Sequence, residues 1–90
     1  MRLESDLENA FVKHIVRTGG EVRKVRWIGR QGAPDRLVMY PDGELVWVEL
    51  KTTTGKLRPA QEREHERLRA MGQTVHVIRT KEDYVKLFPC

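Results

Sequence analysis

The fold is decided by residues 34–51, which read PDRLVMYPDGELVWVELK. Two apolar runs flank Pro-Asp-Gly at 41–43, and a three-residue loop whose glycine is free to adopt positive φ is typical of a β-hairpin. If the two residues that border the loop pair with each other, counting back along the antiparallel ladder places Asp35 opposite Glu49. The segment therefore predicts two acidic side chains roughly 5 Å apart on neighbouring strands.

The predicted pairing creates a charge problem that a cation solves. Two opposed carboxylates repel, and a divalent cation with oxygen ligands offsets that repulsion. Glu49 and Lys51 share one face of the second strand, because side chains alternate along a strand, so the ammonium also reduces the repulsion. We therefore treat Asp35, Glu49 and Lys51 as candidate metal-binding and catalytic residues. The alternative is a surface salt bridge at a frayed strand end.

This interpretation depends on register, since a slip of one residue moves every side chain to the other face. Leu45 and Trp47 precede the acid and the lysine on one face of the second strand, and the other face carries an apolar row, Val46, Val48 and Leu50. A strand that is apolar on both faces is buried and central in its sheet. Charged groups at the end of such a strand are unfavourable unless they have a use.

Length and composition indicate one domain, residues 1–90, near the small end for a self-sufficient core. No apolar run approaches membrane-spanning length and no signal-peptide pattern is present, so we expect an intracellular protein without membrane contact. Cys90 is the only cysteine, which excludes a disulfide framework and a cysteine zinc site. A small sheet with exposed edges gains from a partner, so we expect a homodimer.

The charge pattern favours a polyanionic partner. The net charge is +4 and the sequence pI is about 9.6. Trp27, beside basic residues and a glycine-containing loop, is the candidate for base stacking, whereas Trp47 is expected in the core. Basic residues flank the proposed acidic centre and are candidates for binding a phosphate backbone, although ordinary solubilising charge explains any one of them: Arg17, Arg23, Lys24, Arg26, Arg30, Arg36, Lys56 and Arg58.

The remaining elements are predicted from the spacing of apolar residues and from the Gly and Pro residues that end helices and strands. The predicted order is α-β-β-β-α-β-α. A crossover helix between the third and fourth strands makes those strands parallel, in a small mixed sheet flanked by helices. We expect the crossover helix to use Leu68 and Met71 as its apolar contacts. Outside the hairpin, helices or strands are predicted at about 4–18, 21–28, 59–71 and 74–79, with a short last helix after Thr80.

The first helix carries two acids near its apolar side. Leu7, Phe11 and Ile15 form a narrow arc, with Glu4 inside it and Glu8 beside it. Such an acid either stabilises the start of the helix or points towards the metal as a third carboxylate. For the three histidines, His14, His65 and His76, no common spacing suggests a metal site, and structural or surface roles are favoured.

Three motifs together resemble the virus-type replication-repair nuclease domain, a branch of the PD-(D/E)xK phosphodiesterase superfamily. They are GAPDR at 32–36, VELK at 48–51 and GKLRPAQ at 55–61, and the resemblance covers nearly the whole chain. It implies that Asp35 and Glu49 bind Mg²⁺ or Mn²⁺ together with the Leu50 carbonyl. The family's helix acid matches Glu4, although Glu8 remains an alternative.

The resemblance also implies roles for two further groups. Lys51 is expected to orient or deprotonate the attacking water and to offset charge on the phosphorane, and Gln61 to support the lysine or a phosphate oxygen. Small members of the family look like phage or bacterial endonucleases, so the cytoplasm of a bacterium or phage-infected host is the expected location. Their fold is similar to that of Holliday-junction resolvases, which act as dimers, so branched DNA is the expected substrate.

Two other functional classes fit the sequence less well. A non-catalytic nucleic-acid-binding module that kept the fold does not need all three of Asp35, Glu49 and Lys51. A sugar or nucleotide hydrolase with paired carboxylates leaves Lys51 and its basic surroundings without a role.

Overall fold

The structure is a computed structural model that describes the backbone of residues 3–90 and the side chains from Ser5 onward. Within that part of the chain, three helices flank a four-stranded sheet in the predicted order. The elements are α1 (Leu3–Arg17), β1 (Glu21–Lys24), β2 (Arg36–Met39), β3 (Leu45–Leu50), α2 (Pro59–Ala70), β4 (Val75–Ile78) and α3 (Lys81–Leu87).

The sheet is mixed, and its strands lie in the order β1-β2-β3-β4. β1 pairs antiparallel with β2, and β2 pairs antiparallel with β3. β3 and β4 are parallel and are connected through α2. This arrangement confirms the predicted fold class and the predicted direction of the fourth strand.

The hairpin has the predicted register. Leu37 lies opposite Trp47, and the amide of Tyr40 donates to the Glu44 carbonyl at 3.0 Å. Gly43 closes the turn with φ +94°, a conformation that glycine adopts at no steric cost. The last pair of the ladder, at the end away from the turn, is Arg36 with Val48. One residue further along each strand, the same register places Asp35 opposite Glu49.

β1 is shorter than the strand predicted at 21–28. It ends at Lys24, although the Val25 amide still donates to the Asp35 carbonyl at 2.9 Å. In this register the next residue, Arg26, lies opposite Pro34, and no further pair follows in the ladder. The chain then turns away, and the Trp27 indole Nε1 donates to the Pro34 carbonyl at 2.8 Å.

α1 and α3 cover one face of the sheet and form the core there. Phe11 contacts Tyr84 and Phe88 edge-on, with ring centroids 5.9 Å apart in both pairs. The His14 Nε2 atom lies 2.7 Å from the Phe88 carbonyl, which gives this histidine a structural role. The buried apolar cluster consists of Phe11, Ile15, Val38, Val46, Val48, Ile78, Tyr84 and Phe88.

α2 buries polar residues rather than the apolar contacts that we predicted. Its buried residues are Gln61, Glu64 and His65, whereas Leu68 is half-buried and Met71 is 71% exposed. The expectation for Met71 was therefore wrong. The reason is that α2 covers the sheet face that carries Glu49, so polar side chains are the ones that find partners there.

β4 forms an open edge of the sheet, and a side chain caps part of it. The Thr74 and Ile78 carbonyls accept amides of the β3 segment, from Trp47 and Lys51. The Val75 carbonyl accepts instead from the Arg69 guanidinium, at 2.9 Å from Nη2 and 3.3 Å from Nε. Among the described helices, none is both long and apolar enough to cross a membrane.

Candidate active site

A cleft of about 140 Å³ lies where β2 begins and β3 ends. Its lining comes from three parts of the chain: α1, the residues that start β2, and the end of β3. The structure thus brings together four of the residues that the sequence predicted for the site, with Glu8 and Arg36 beside them. The lining residues are Glu8, Asp35, Arg36, Glu49, Leu50 and Lys51.

Local sequence and strand pairing at the ends of β2 and β3 position these groups. Pro34 is buried and delivers the chain in an extended conformation to Asp35, whose side chain remains 59% exposed. Glu49 lies deeper, with 12% of its side chain exposed. The Lys51 amide donates to the Ile78 carbonyl at 3.0 Å, so pairing with the β4 segment also fixes the backbone of the lysine.

The Glu49 carboxylate is approached by two residues of α2. Gln61 Nε2 lies 3.4 Å from one carboxylate oxygen, Oε2, and His65 Nε2 lies 3.6 Å from the other, Oε1. The Gln61 side-chain oxygen accepts from the Arg58 amide at 2.8 Å and so also caps the helix. Gln61 therefore joins the start of α2 to the acid on β3.

Arg36 connects the strand acid to the acid of α1. Its guanidinium lies 2.9 Å from Asp35 Oδ1 and 2.7 Å from Glu8 Oε2. Lys24 approaches the same Glu8 oxygen at 3.8 Å. Glu8 therefore lines the cleft as a paired carboxylate, whereas the side chain of Glu4, the first choice for the helix acid, lies outside the described residues.

The chemistry of the cleft fits a hard divalent cation. The Asp35 and Glu49 carboxylates and the Leu50 carbonyl supply oxygen donors, which Mg²⁺ and Mn²⁺ prefer. No group of three or more His, Cys, Asp or Glu side chains gathers at metal-binding distance among the residues with described side chains. The third predicted acid, Glu4, is outside that set, and the metal-binding role of these residues stays a prediction.

His65 is a residue of this site that the sequence analysis missed. Its side chain is 1% exposed, and burial lowers its pKa below the usual 6.5, with the nearby charge of Arg69 acting in the same direction. The available signal was its spacing, since His65 follows Gln61 by four residues and lies on the same face of a helix. His76 is half-buried and packs edge-on against Phe88.

A second, larger cleft of about 490 Å³ adjoins Asp35 on the β1 side. Its lining is basic and includes Trp27, whose ring lies 5.0 Å from that of Trp47. The cleft shares Asp35 and Arg36 with the acidic one, so the two form a continuous surface. The charged lining residues are Lys24, Arg26, Arg30, Asp35 and Arg36.

The loop that borders this larger cleft is fastened to α2. Arg30 pairs with the buried Glu64 at 2.7 Å, and this hydrogen bond lowers the pKa of the carboxyl. Gly32 has φ +81°, and a Cβ placed there would clash with the Ala60 carbonyl oxygen. Arg30, predicted to bind nucleic acid, thus also anchors the loop. Lys56 and Arg58, predicted for the same role, are exposed before α2.

Comparison with known proteins finds relatives that match almost the whole chain, although no family model matches it. "Putative nuclease p44" of Acyrthosiphon pisum secondary endosymbiont phage 1 is 40% identical over 84 residues, covering 91% of this chain and 90% of that protein. A solved structure described as "VRR_NUC domain" matches with a TM-score of 0.88 and 38% identity, covering 97% of this chain and 95% of the other.

Proposed function

The chain belongs to the virus-type replication-repair nuclease family, and from that premise we propose that it is a divalent-metal-dependent DNA endonuclease that hydrolyses phosphodiester bonds. The observation that carries the proposal is the meeting of Asp35, Glu49 and Lys51 in one cleft. The adjoining basic cleft supports a nucleic-acid substrate, because phosphate contacts with Lys and Arg supply most of the non-specific affinity for DNA.

The proposed chemistry assigns a task to each side chain. Asp35 and Glu49, with the Leu50 carbonyl, would hold Mg²⁺ or Mn²⁺. When bound, the cation would lower the pKa of a water molecule and stabilise charge that develops on the phosphate. Lys51 orients the attacking water and donates to a phosphoryl oxygen as negative charge builds there. Gln61 keeps the Glu49 carboxylate in place through the contact at 3.4 Å.

We further propose that branched DNA, with four-way junctions first, is the substrate, in replication, repair or recombination. The support is the similarity of the family's fold to junction resolvases. Two copies related by a twofold axis present two cleavage sites, as paired incisions across a junction require. A dimer has twice the chain mass of 10.5 kDa, which light scattering on the purified protein measures.

A nuclease assay tests the function. Labelled duplex, flap and four-way-junction DNA are incubated with the protein and Mg²⁺, or with a chelator. Asp35→Asn and Lys51→Ala are each expected to lower the cleavage rate at least about 100-fold. Glu82→Gln and Lys86→Ala, which make matching changes at exposed positions of α3, are the controls and should cut normally.

Two results would contradict the proposal in different ways. Undiminished cleavage by both site variants would mean that the chemistry lies elsewhere. Tight DNA binding by every version, with no cleavage under any metal, would instead identify the chain as a binding module that kept the fold.

A further inference from the structure

Two side chains on one face of α2 lie close to the two oxygens of the Glu49 carboxylate. Gln61 and His65 are one helical turn apart, so their side chains point in the same direction. Gln61 Nε2 lies 3.4 Å from Oε2 and His65 Nε2 lies 3.6 Å from Oε1. The helix therefore offers one nitrogen to each carboxylate oxygen.

The burial of His65 is unexplained by packing alone. Both ring nitrogens are buried, and neither makes a hydrogen bond to any described residue at normal distance. An apolar side chain of similar volume fills such a space without the cost of desolvating two polar atoms. A buried imidazole with a carboxylate just beyond hydrogen-bond distance suggests that the contact closes in another state of the site.

A neutral donor suits this position. In a neutral imidazole one nitrogen carries a proton and the other is an acceptor, so the His65 ring can donate through Nε2. A neutral N–H orients a carboxylate without adding positive charge beside a cation site. A lysine or arginine here would instead compete with the cation for Glu49.

We propose that His65 is a positioning residue, which donates a hydrogen bond from Nε2 to Glu49 Oε1 and, with Gln61, fixes the carboxylate in the orientation that binds the divalent cation. This inference rests on the metal dependence proposed above. Hydrogen bonds to metal-ligating carboxylates commonly contribute 10–100-fold to metal affinity.

The test measures Mn²⁺ affinity of DNA-free protein by calorimetry or by the electron paramagnetic resonance signal of free Mn²⁺. His65→Leu removes the donor but keeps the volume, and we expect its affinity to fall about 10–100-fold with little loss of thermal stability. His65→Gln supplies an amide nitrogen near the Nε2 position and should recover most of the affinity. His65→Asn, which is polar but too short, should not.

His76→Leu is the matched control, because it removes a partly buried histidine from β4 and should leave Mn²⁺ affinity unchanged. In the wild type, Mg²⁺ should also shift the ¹⁵N resonances of the His65 ring towards a firmly hydrogen-bonded Nε2–H form. Absence of that shift would count against the contact even if a variant failed to fold.

The outcomes separate this inference from the proposed function. If the wild type binds Mn²⁺, Asp35→Asn does not, and His65→Leu binds as well as wild type, the positioning role is overturned and the metal site stands. If Gln, Asn and Leu at position 65 lower affinity and thermal stability equally, His65 only packs. If the wild type itself does not bind Mn²⁺, the metal dependence fails and the inference falls with it.

Discussion

The Arg36 guanidinium contacts a single oxygen of Glu8, Oε2, through two nitrogens, with Nη2 at 2.7 Å and Nε at 2.8 Å. Its third nitrogen, Nη1, lies 2.9 Å from Asp35. The two partners in this ion pair are 13% and 23% exposed, so solvent screens them only partly. We conclude that Arg36 fixes the acids of the cleft in addition to any contact with DNA.

We expect a strong energetic coupling between Arg36 and Glu8. A double-mutant cycle with Arg36→Ala and Glu8→Gln, measured by urea unfolding, should give about 1.5–3 kcal/mol, the range for hydrogen bonds to charged groups. Arg36→Lys should not restore the stability, because an ammonium cannot make the planar forked contact. Additivity of the two single changes within about 0.5 kcal/mol would contradict the prediction.

A methyl group should destabilise the protein more at one glycine of the loop between β1 and β2 than at another. Gly29 and Gly32 both have positive φ, but a Cβ at Gly29 meets nothing within 4 Å, whereas one at Gly32 meets the Ala60 carbonyl. Gly29→Ala should cost about 1–2 kcal/mol for the conformation alone. Gly32→Ala should cost a further 1–3 kcal/mol of unfolding free energy because of the clash. Equal costs would show that the loop moves freely against α2.

Acidification should destabilise the protein through His76. Burial, with Arg69, lowers the pKa of His76 below 6.5 in the folded chain. Between that lowered pKa and 6.5, the unfolded chain binds a proton that the folded chain largely does not. The free energy of unfolding therefore rises with pH across this window, and the contribution of His76 is complete above it.

His76→Gln removes this contribution, and chemical unfolding at pH values from 5 to 7.5 should show a shallower rise than in the wild type. A slope should remain, because the pKa of His65 is lowered in the same direction. An unchanged slope in the variant would mean that His76 does not titrate differently in the two states.

Arg26 should contribute to DNA affinity through charge alone. It lies exposed in the basic cleft, so Arg26→Gln is expected to weaken binding to duplexes of any sequence. The slope of log affinity against log salt concentration should fall by about 0.9, the value for one lost phosphate contact. Lys86→Gln on α3 makes the same charge change away from the cleft, and an equal effect there would indicate nonspecific attraction.

The hairpin could be predicted from sequence because its determinants are local. The turn residues at 41–43 fix the register, and the register alone brings Asp35 opposite Glu49. The end of β1 could not be predicted in the same way, since it depends on where the pairing with the partner strand stops. That pairing is visible only once the two segments are aligned.

The α2 helix was harder to interpret because its buried face is polar. Apolar periodicity pointed to Met71, which is exposed, and passed over His65, which is buried. The face is chosen by what lies beneath it, namely the Glu49 carboxylate. A helix that covers a charged site presents polar side chains to it, because buried polar groups need hydrogen-bond partners. The spacing of apolar residues does not reveal such a face.

The Arg69 contact with the Val75 carbonyl has a consequence for how two copies can associate. A second molecule that added its strand alongside β4 must first displace a guanidinium bonded to that carbonyl through two nitrogens. Strand addition at this edge of the sheet is therefore disfavoured. A dimer of the kind proposed above would then form at the β1 edge or through helical or loop surfaces, and that choice would set the distance between its two proposed active sites.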